Sequence, residues 1–207
     1  MNYKLIFDYL DKLWLPEIVW YRFSSSGIES KNVSKFLKEQ LLEPQLKEIA
    51  DEHDWTNPNK ADDWKIVDIL KYVHDNIKYV SDRIQYKESE HWATIAETLT
   101  SREGDCEDGA ILIYCLARTS GIPIEKIKLV AGSVKDGGHA WIRYVSEVYI
   151  YSSFNIDWCY YYDSEYVKER MAYIYNSEKI IGDNKYCSIW FMADEEKGIR
   201  KLNDIQR

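Results

Sequence analysis

From Ala110 to Ala117 nearly every position is apolar, and helix signals stand at both ends of the run. Asp105 is a good N-cap, Asp108 lies three residues on, where it can accept from the N-cap amide, and Glu107 adds negative charge to the first turn. Gly121 and Pro123 supply the stop. The pattern predicts a helix buried on most sides. The period then changes. Lys126 to Val134 alternates as a strand does, Lys135-Asp136-Gly137-Gly138 is strong turn chemistry, and the alternation resumes over His139-Ala140-Trp141-Ile142-Arg143-Tyr144. His139 and Trp141 are therefore expected on one face, with His139 opening the second strand.

Upstream, residues Lys31 to Glu52 carry helical periodicity through Val33, Phe36, Leu37, Leu41, Leu46 and Ile49, and Pro44 divides the stretch into two helical pieces. Asp54 to Asp62 is expected as a loop around Asn57-Pro58-Asn59, and a helix resumes from Asp63 to Asn76. Thr94 and Glu97 make a capping-box pattern for a short helix through Thr100. Downstream, Cys159 to Tyr162 is expected to continue a strand, Glu165 to Ala172 to form a helical turn, and Tyr186 to Met192 another strand. The charged tail from Asp194 to Arg207 reads as a surface helix or a frayed end. There is no internal repeat and no low-complexity tract.

Cys106 sits where the loop becomes the first turn of the apolar helix. Unsatisfied N–H groups and the positive end of the helix dipole favour a thiolate there, so its pKa is expected to fall below the ~8.5 of a free cysteine. His139 can take the thiol proton if its strand face looks toward that helix end, which would give an ion pair poised near neutral pH. Asp157, in Asn155-Ile156-Asp157-Trp158, would receive the other ring N–H and fix the tautomer. Each residue alone has an ordinary structural reading. A lone cysteine near a helix start is usually a small buried hydrophobe, a lone strand histidine is usually core or surface, and a strand-end aspartate usually faces water.

Gly104-Asp105-Cys106-Glu107-Asp108, His139-Ala140-Trp141 and Ile156-Asp157-Trp158 together resemble the three motifs of the transglutaminase-like superfamily, in particular its bacterial, archaeal and phage cysteine-peptidase-like branch. The resemblance covers Lys65 to about Tyr162, taking in Tyr72-Val73-His74-Asp75-Asn76-Ile77-Lys78-Tyr79 and the tryptophan-led Trp92-Ala93-Thr94-Ile95-Ala96-Glu97-Thr98-Leu99. It implies an α+β, papain-like core, with the cysteine at the N-terminus of a buried helix packed on an antiparallel sheet that carries the histidine and the aspartate. It implies Cys106 as nucleophile, His139 as general base and acid, and Asp157 as its orienter. The oxyanion would be held by the backbone N–H of Cys106 and a second upstream donor. Trp92, whose indole N–H only donates, is the candidate for that donor, against the alternative that it simply packs in the core. The segment after Trp92 often reads Gln-Thr-Pro in the family and here reads Ala93-Thr94-Ile95, which leaves that donor open.

Composition sets bounds on this reading. At 207 residues and 45% hydrophobic content, the chain suits one domain over 1–207, with a mainly helical part over 1–62, the catalytic core over 63–162 and a strand and helix extension over 163–207. A net charge of -8 and a pI near 5.1 argue against nucleic acid as the main partner. The 17 tyrosines and 8 tryptophans do not choose a substrate. Four cysteines, Cys106, Cys115, Cys159 and Cys187, show neither Cys-x-x-Cys nor paired Cys/His spacing. Neither a structural zinc site nor a disulfide scaffold is expected, and no metal or cofactor is implied. His53, His74 and His91 likewise make no ligand pair. The start of the chain lacks the pattern of a secretion signal, and no apolar stretch approaches the ~20 residues that span a bilayer. The expectation is a cytoplasmic enzyme acting on a protein or peptide. It would form a thioester from an amide carbonyl and pass the acyl group to water, with transfer to an amine, as in cross-linking, as one alternative and a non-catalytic binding module as another.

Overall fold

A computed structural model of the protein describes residues 19–24, 27–135, 137–146, 153–160 and 186–200. A hairpin of β1 (Val19–Ser24) and β2 (Gly27–Asn32) comes first. Asn32 then caps α1 (Val33–Gln40) by accepting from the Lys35 amide at 3.0 Å. Pro44 breaks the helical stretch as expected, standing at the first position of α2 (Pro44–Glu52), where its missing N–H costs nothing. After the turns of residues 53–61 comes α3 (Asp62–Asn76), then a two-residue β3 (Lys78–Tyr79) and α4 (Asp82–Gln85). Next is α5 (Ile95–Ser101), whose capping box forms as the sequence predicts: the Thr94 amide donates to Glu97 at 2.7 Å and the Glu97 amide to Thr94 Oγ1 at 3.2 Å. A second two-residue strand, β4 (Glu103–Gly104), pairs in parallel with β3 and delivers the chain into α6 (Cys106–Thr119).

The central helix α6 is buried from Glu107 through Ala117. One face packs on β5 (Ile127–Val134) and β6 (Gly137–Val145), and α2, α3 and α5 cover the others. This enclosure explains a run that is apolar all round rather than on one stripe. Among the described residues the sheet is antiparallel and five-stranded, adding β7 (Ser153–Ile156), β8 (Tyr186–Ala193) and β9 (Gly198–Arg200), in the order β7-β6-β5-β8-β9. One cluster of buried apolar side chains extends from Val33 through the helices to Phe191 and Ala193.

Three expectations change. The second strand of the β5–β6 hairpin opens at Gly137, which pairs with Val134, so His139 is the third residue of the strand. The chain turns over residues 158–160 instead of continuing a strand, and residues 161–162 lie outside the described residues. Part of the charged tail forms β9, whose Ile199 pairs with Met192 of β8, in place of a helix. The helical turn expected over Glu165 to Ala172 lies outside the described residues. No helix among the described residues is long and apolar enough to cross a membrane.

Candidate active site

The start of α6 is held by its own first-turn acid. Asp108 Oδ2 accepts from the Asp105 amide at 3.1 Å, while its Oδ1 accepts from the Ala93 amide at 2.8 Å. One carboxylate thus ties the helix end to the segment leading into α5. Both glycines flanking this motif make room for side chains. A Cβ on Gly104 would lie 2.8 Å from Asp108 Cβ, and one on Gly109 would lie 2.1 Å from the Trp158 indole nitrogen. The indole therefore lies directly on the first turns of the helix, and its N–H points to the Cys106 carbonyl at 3.4 Å.

Asp157, the residue before that tryptophan, reaches the other way. It follows the last residue of β7, whose pairing with β6 runs from Ile142–Ile156 outward. His139 Nε2 and Asp157 Oδ2 are 2.7 Å apart, with both residues buried. Two further donors converge on the same carboxylate: the Tyr186 hydroxyl at 2.8 Å to Oδ2 and the Cys159 amide at 3.0 Å to Oδ1. With its proton on Nε2, a neutral His139 is a third donor to that carboxylate and keeps its lone pair on Nδ1. Trp141 stacks on the imidazole at 6.0 Å, as the shared strand face requires, and Tyr160 flanks it at 5.1 Å.

The Cys106 thiol hydrogen-bonds to Glu107 Oε2 at 3.1 Å. Burial, followed by the charges of Glu107 and Asp105, pushes that thiol well above its ordinary range, the reverse of the direction expected from the helix end. The reason is one of magnitude. A helix terminus supplies the equivalent of about half a positive charge, which cannot match lost solvation and two adjacent carboxyl groups. Burial also raises Glu107, followed by the adjacent Asp105 carboxyl, and Asp108 is pushed up to about 8 by burial and Asp105 despite its two amide donors.

The model of the transglutaminase-like superfamily matches residues 47–162, more than half of the chain. The chain belongs to the transglutaminase-like superfamily. Among solved structures it is similar to LapG of Legionella pneumophila in an EGTA-treated form, at 15% identity over 83% of this chain and 87% of that one, with a TM-score of 0.53. It is similar to a second LapG structure at 15% identity over 81% and 87%, TM-score 0.51. A Cytophaga hutchinsonii protein provisionally assigned as a cysteine protease aligns at 17% identity over 60% of this chain and 42% of that one, TM-score 0.43. No curated protein matches the chain.

Within this transglutaminase-like core, His139 and Asp157 are brought together directly, and Cys106 is joined to the neighbourhood through Trp158. Trp92 is buried against Phe36, with ring centroids 5.9 Å apart, and its indole N–H donates to Glu90 Oε1 at 3.0 Å. To serve an oxyanion it would have to leave that carboxylate. Sequence reading missed Tyr186 as a second support of Asp157, because 29 positions separate them and nothing local marks the pairing. It also took Glu107 as a simple first-turn acid rather than the partner of the thiol. Two kinds of donor set flank the helix start. Carboxylate oxygens of Asp82, Asp105 and Asp108, and of Asp82, Glu90 and Glu107, lie within 4.8 Å of one another, as do single donor atoms of His139, Asp157 and Cys159.

Proposed function

We propose that this chain is a cysteine peptidase or amidase that forms a thioester on Cys106 and releases it to water. The observation that carries the reading is the buried Nε2–Asp157 contact of 2.7 Å, which makes Nδ1 the acceptor nitrogen of a neutral ring on β6, a strand that packs on the Cys106 helix. With the thiol raised by burial and by Glu107, the resting nucleophile is neutral. His139 Nδ1 therefore acts as a general base during attack, in place of a preformed ion pair. As the Cys106 sulfur adds to the carbonyl carbon, its proton passes to Nδ1, and the Asp157 carboxylate stabilises the imidazolium. The Cys106 backbone N–H faces the developing oxyanion, with Trp92 as the proposed second donor once released from Glu90. The imidazolium then protonates the leaving amine as the carbon–nitrogen bond breaks. Water, deprotonated by the same Nδ1, attacks the thioester, and the thiol recovers its proton.

The carboxylates beside the nucleophile fit a hard divalent cation. Asp105 Oδ1 and Glu107 Oε1 are buried with no hydrogen-bond partner, and an oxygen-only donor set suits such ions. Asp82, Asp105, Glu107 and Asp108 would hold it, and its charge would offset the carboxylates that raise the Cys106 thiol.

Intact-mass spectrometry with a peptide bearing a thiol-reactive amide mimic tests the reading. One adduct per chain is expected on Cys106 in the wild type and none in Cys106→Ala. An adduct that maps to Cys115 or Cys159 and persists in Cys106→Ala would overturn the assignment. Incubating protein substrates with a fluorescent primary amine separates the acceptors: new peptide termini support hydrolysis, and fluorescent incorporation without cleavage would replace it with amine transfer.

A further inference from the structure

Cys159 stands two residues beyond Asp157, in the turn that ends β7, and is half-buried. Its amide already braces Asp157, and its sulfur belongs to a mixed donor set: one atom each from His139, Asp157 and Cys159 lie within 4.8 Å of one another. Zinc sits about 2.0–2.1 Å from imidazole nitrogen, 2.0–2.2 Å from carboxylate oxygen and 2.3 Å from thiolate sulfur, so tetrahedral ligands stand roughly 3.3–3.7 Å apart. The set closes on such an ion if the Nε2–Oδ2 contact of 2.7 Å widens by about half an ångström and the Cys159 sulfur, within 4.8 Å of both, settles at that same ligand spacing. Nitrogen, oxygen and sulfur donors together select zinc and cobalt over calcium and magnesium. The oxygen-only carboxylates beside Cys106 have the opposite preference. Tyr186 donates its hydroxyl to Asp157 Oδ2, the kind of outer support that fixes ligand orientation in metal sites.

We propose that His139, Asp157 and Cys159 form a binding site for a zinc-class divalent ion that captures the imidazole proposed here as the catalytic base. The ion bonds to Nε2 in place of its proton, and Cys159 releases its thiol proton to solvent and binds as thiolate. The neutral imidazole then carries its proton on Nδ1, and the fourth coordination position is left to water. On the thioester reading above, on which this consequence rests, Nδ1 can no longer accept the proton of Cys106, and acylation stops while the metal is bound.

Cobalt titration of the metal-free protein tests the site without any activity measurement. Thiolate-to-cobalt charge-transfer absorption in the near ultraviolet is expected at one ion per chain in the wild type and in Cys106→Ser. It should be lost in Cys159→Ser, and His139→Ala should bind at least tenfold more weakly. Zinc should displace the cobalt, and calcium in excess should not. A band that survives in Cys159→Ser, one that disappears in Cys106→Ser, or none in the folded wild type would overturn the proposal. Should Cys159→Ser not fold, zinc protection of Cys159 against iodoacetamide in the wild type, read by peptide mapping, reports the same ligand, and equal labelling with and without zinc counts against it. A normal cobalt band with no probe adduct on Cys106 would leave the metal site standing and remove the catalytic reading. An adduct on Cys106 that zinc fails to suppress, with no cobalt band, would do the reverse.

Discussion

At the scale of single residues, the surroundings of Cys106 decide how its thiol is activated. A helix N-terminus alone would favour the thiolate, but burial and the carboxyls of Glu107 and Asp105 act against it. Alkylation of Cys106 by iodoacetamide at neutral pH should therefore be slower than that of a free cysteine. Glu107→Gln keeps an oxygen for the thiol and removes the carboxyl whose ionised form opposes the thiolate, so it should move the labelling profile to lower pH. An unchanged profile, followed by intact mass, would show that Glu107 does not control the thiol. His139→Ala should lower thioester formation by about 10²–10⁴-fold. Asp157→Asn should cost less, yet more than Tyr186→Phe. Asparagine can present its oxygen to only some of the three donors that converge on the carboxylate, whereas the phenylalanine removes one of them. Single-turnover acylation, with circular dichroism to confirm folding, ranks the three.

At the scale of elements, α6 and the end of β7 meet at one point: the Trp158 indole on Gly109. A methyl group there has no free space and rigid neighbours. Gly109→Ala should thus destabilise the protein by about 1–3 kcal/mol and displace Trp158 from the Cys106 carbonyl, lowering acylation as well. Adding Trp158→Leu should recover stability without recovering activity. Equal thermal midpoints for Gly109→Ala and wild type would mean that the indole is not seated as described. Much of the local structure was legible because its causes are local: the Thr94–Glu97 capping box, Pro44 at the start of α2, the all-apolar run of α6 and the alternation of β5 and β6. The order of the sheet was not. The strand β8 lies beside β5 although residues 135–185 separate them in sequence, and a strand's period says which face is buried, never which neighbour it takes. The same limit hid Tyr186. The turn at residues 158–160 defeated a pattern reading because Trp158 and Cys159 look like strand residues, and their placement comes from the tertiary demand that the indole cover Gly109. The three motif residues were legible as types and spacing. The role of Glu107 was not, since a first-turn acid and a thiol partner have the same sequence signature.

At the scale of the whole molecule, a chain of net charge -8 gathers several of its carboxylates at the start of one buried helix, and this should set how stability depends on pH. Asp108 stands at about 8 in the folded protein against 3.8 for an ordinary aspartate. The folded state therefore binds this proton more tightly than the unfolded one. The contribution is fully present below about pH 4, is lost progressively as pH rises toward 8, and is flat above that. In buffer containing EDTA, the thermal midpoint should accordingly fall between pH 5 and pH 8, and Asp108→Asn should flatten the slope. A hard divalent cation among Asp82, Asp105, Glu107 and Asp108 would oppose the same repulsion, so calcium should raise the midpoint more at pH 8 than at pH 5. At a hundredfold excess over its dissociation constant, a bound ligand adds about 2.7 kcal/mol, which for a protein of this size is roughly 5–10 °C. Differential scanning fluorimetry with EDTA or calcium at the two pH values reads both effects. A steep fall in EDTA that calcium leaves untouched would keep the buried carboxylates as the source of the pH dependence and remove the cation from the site, and the Cys106 thiol would then depend on His139 alone for its activation.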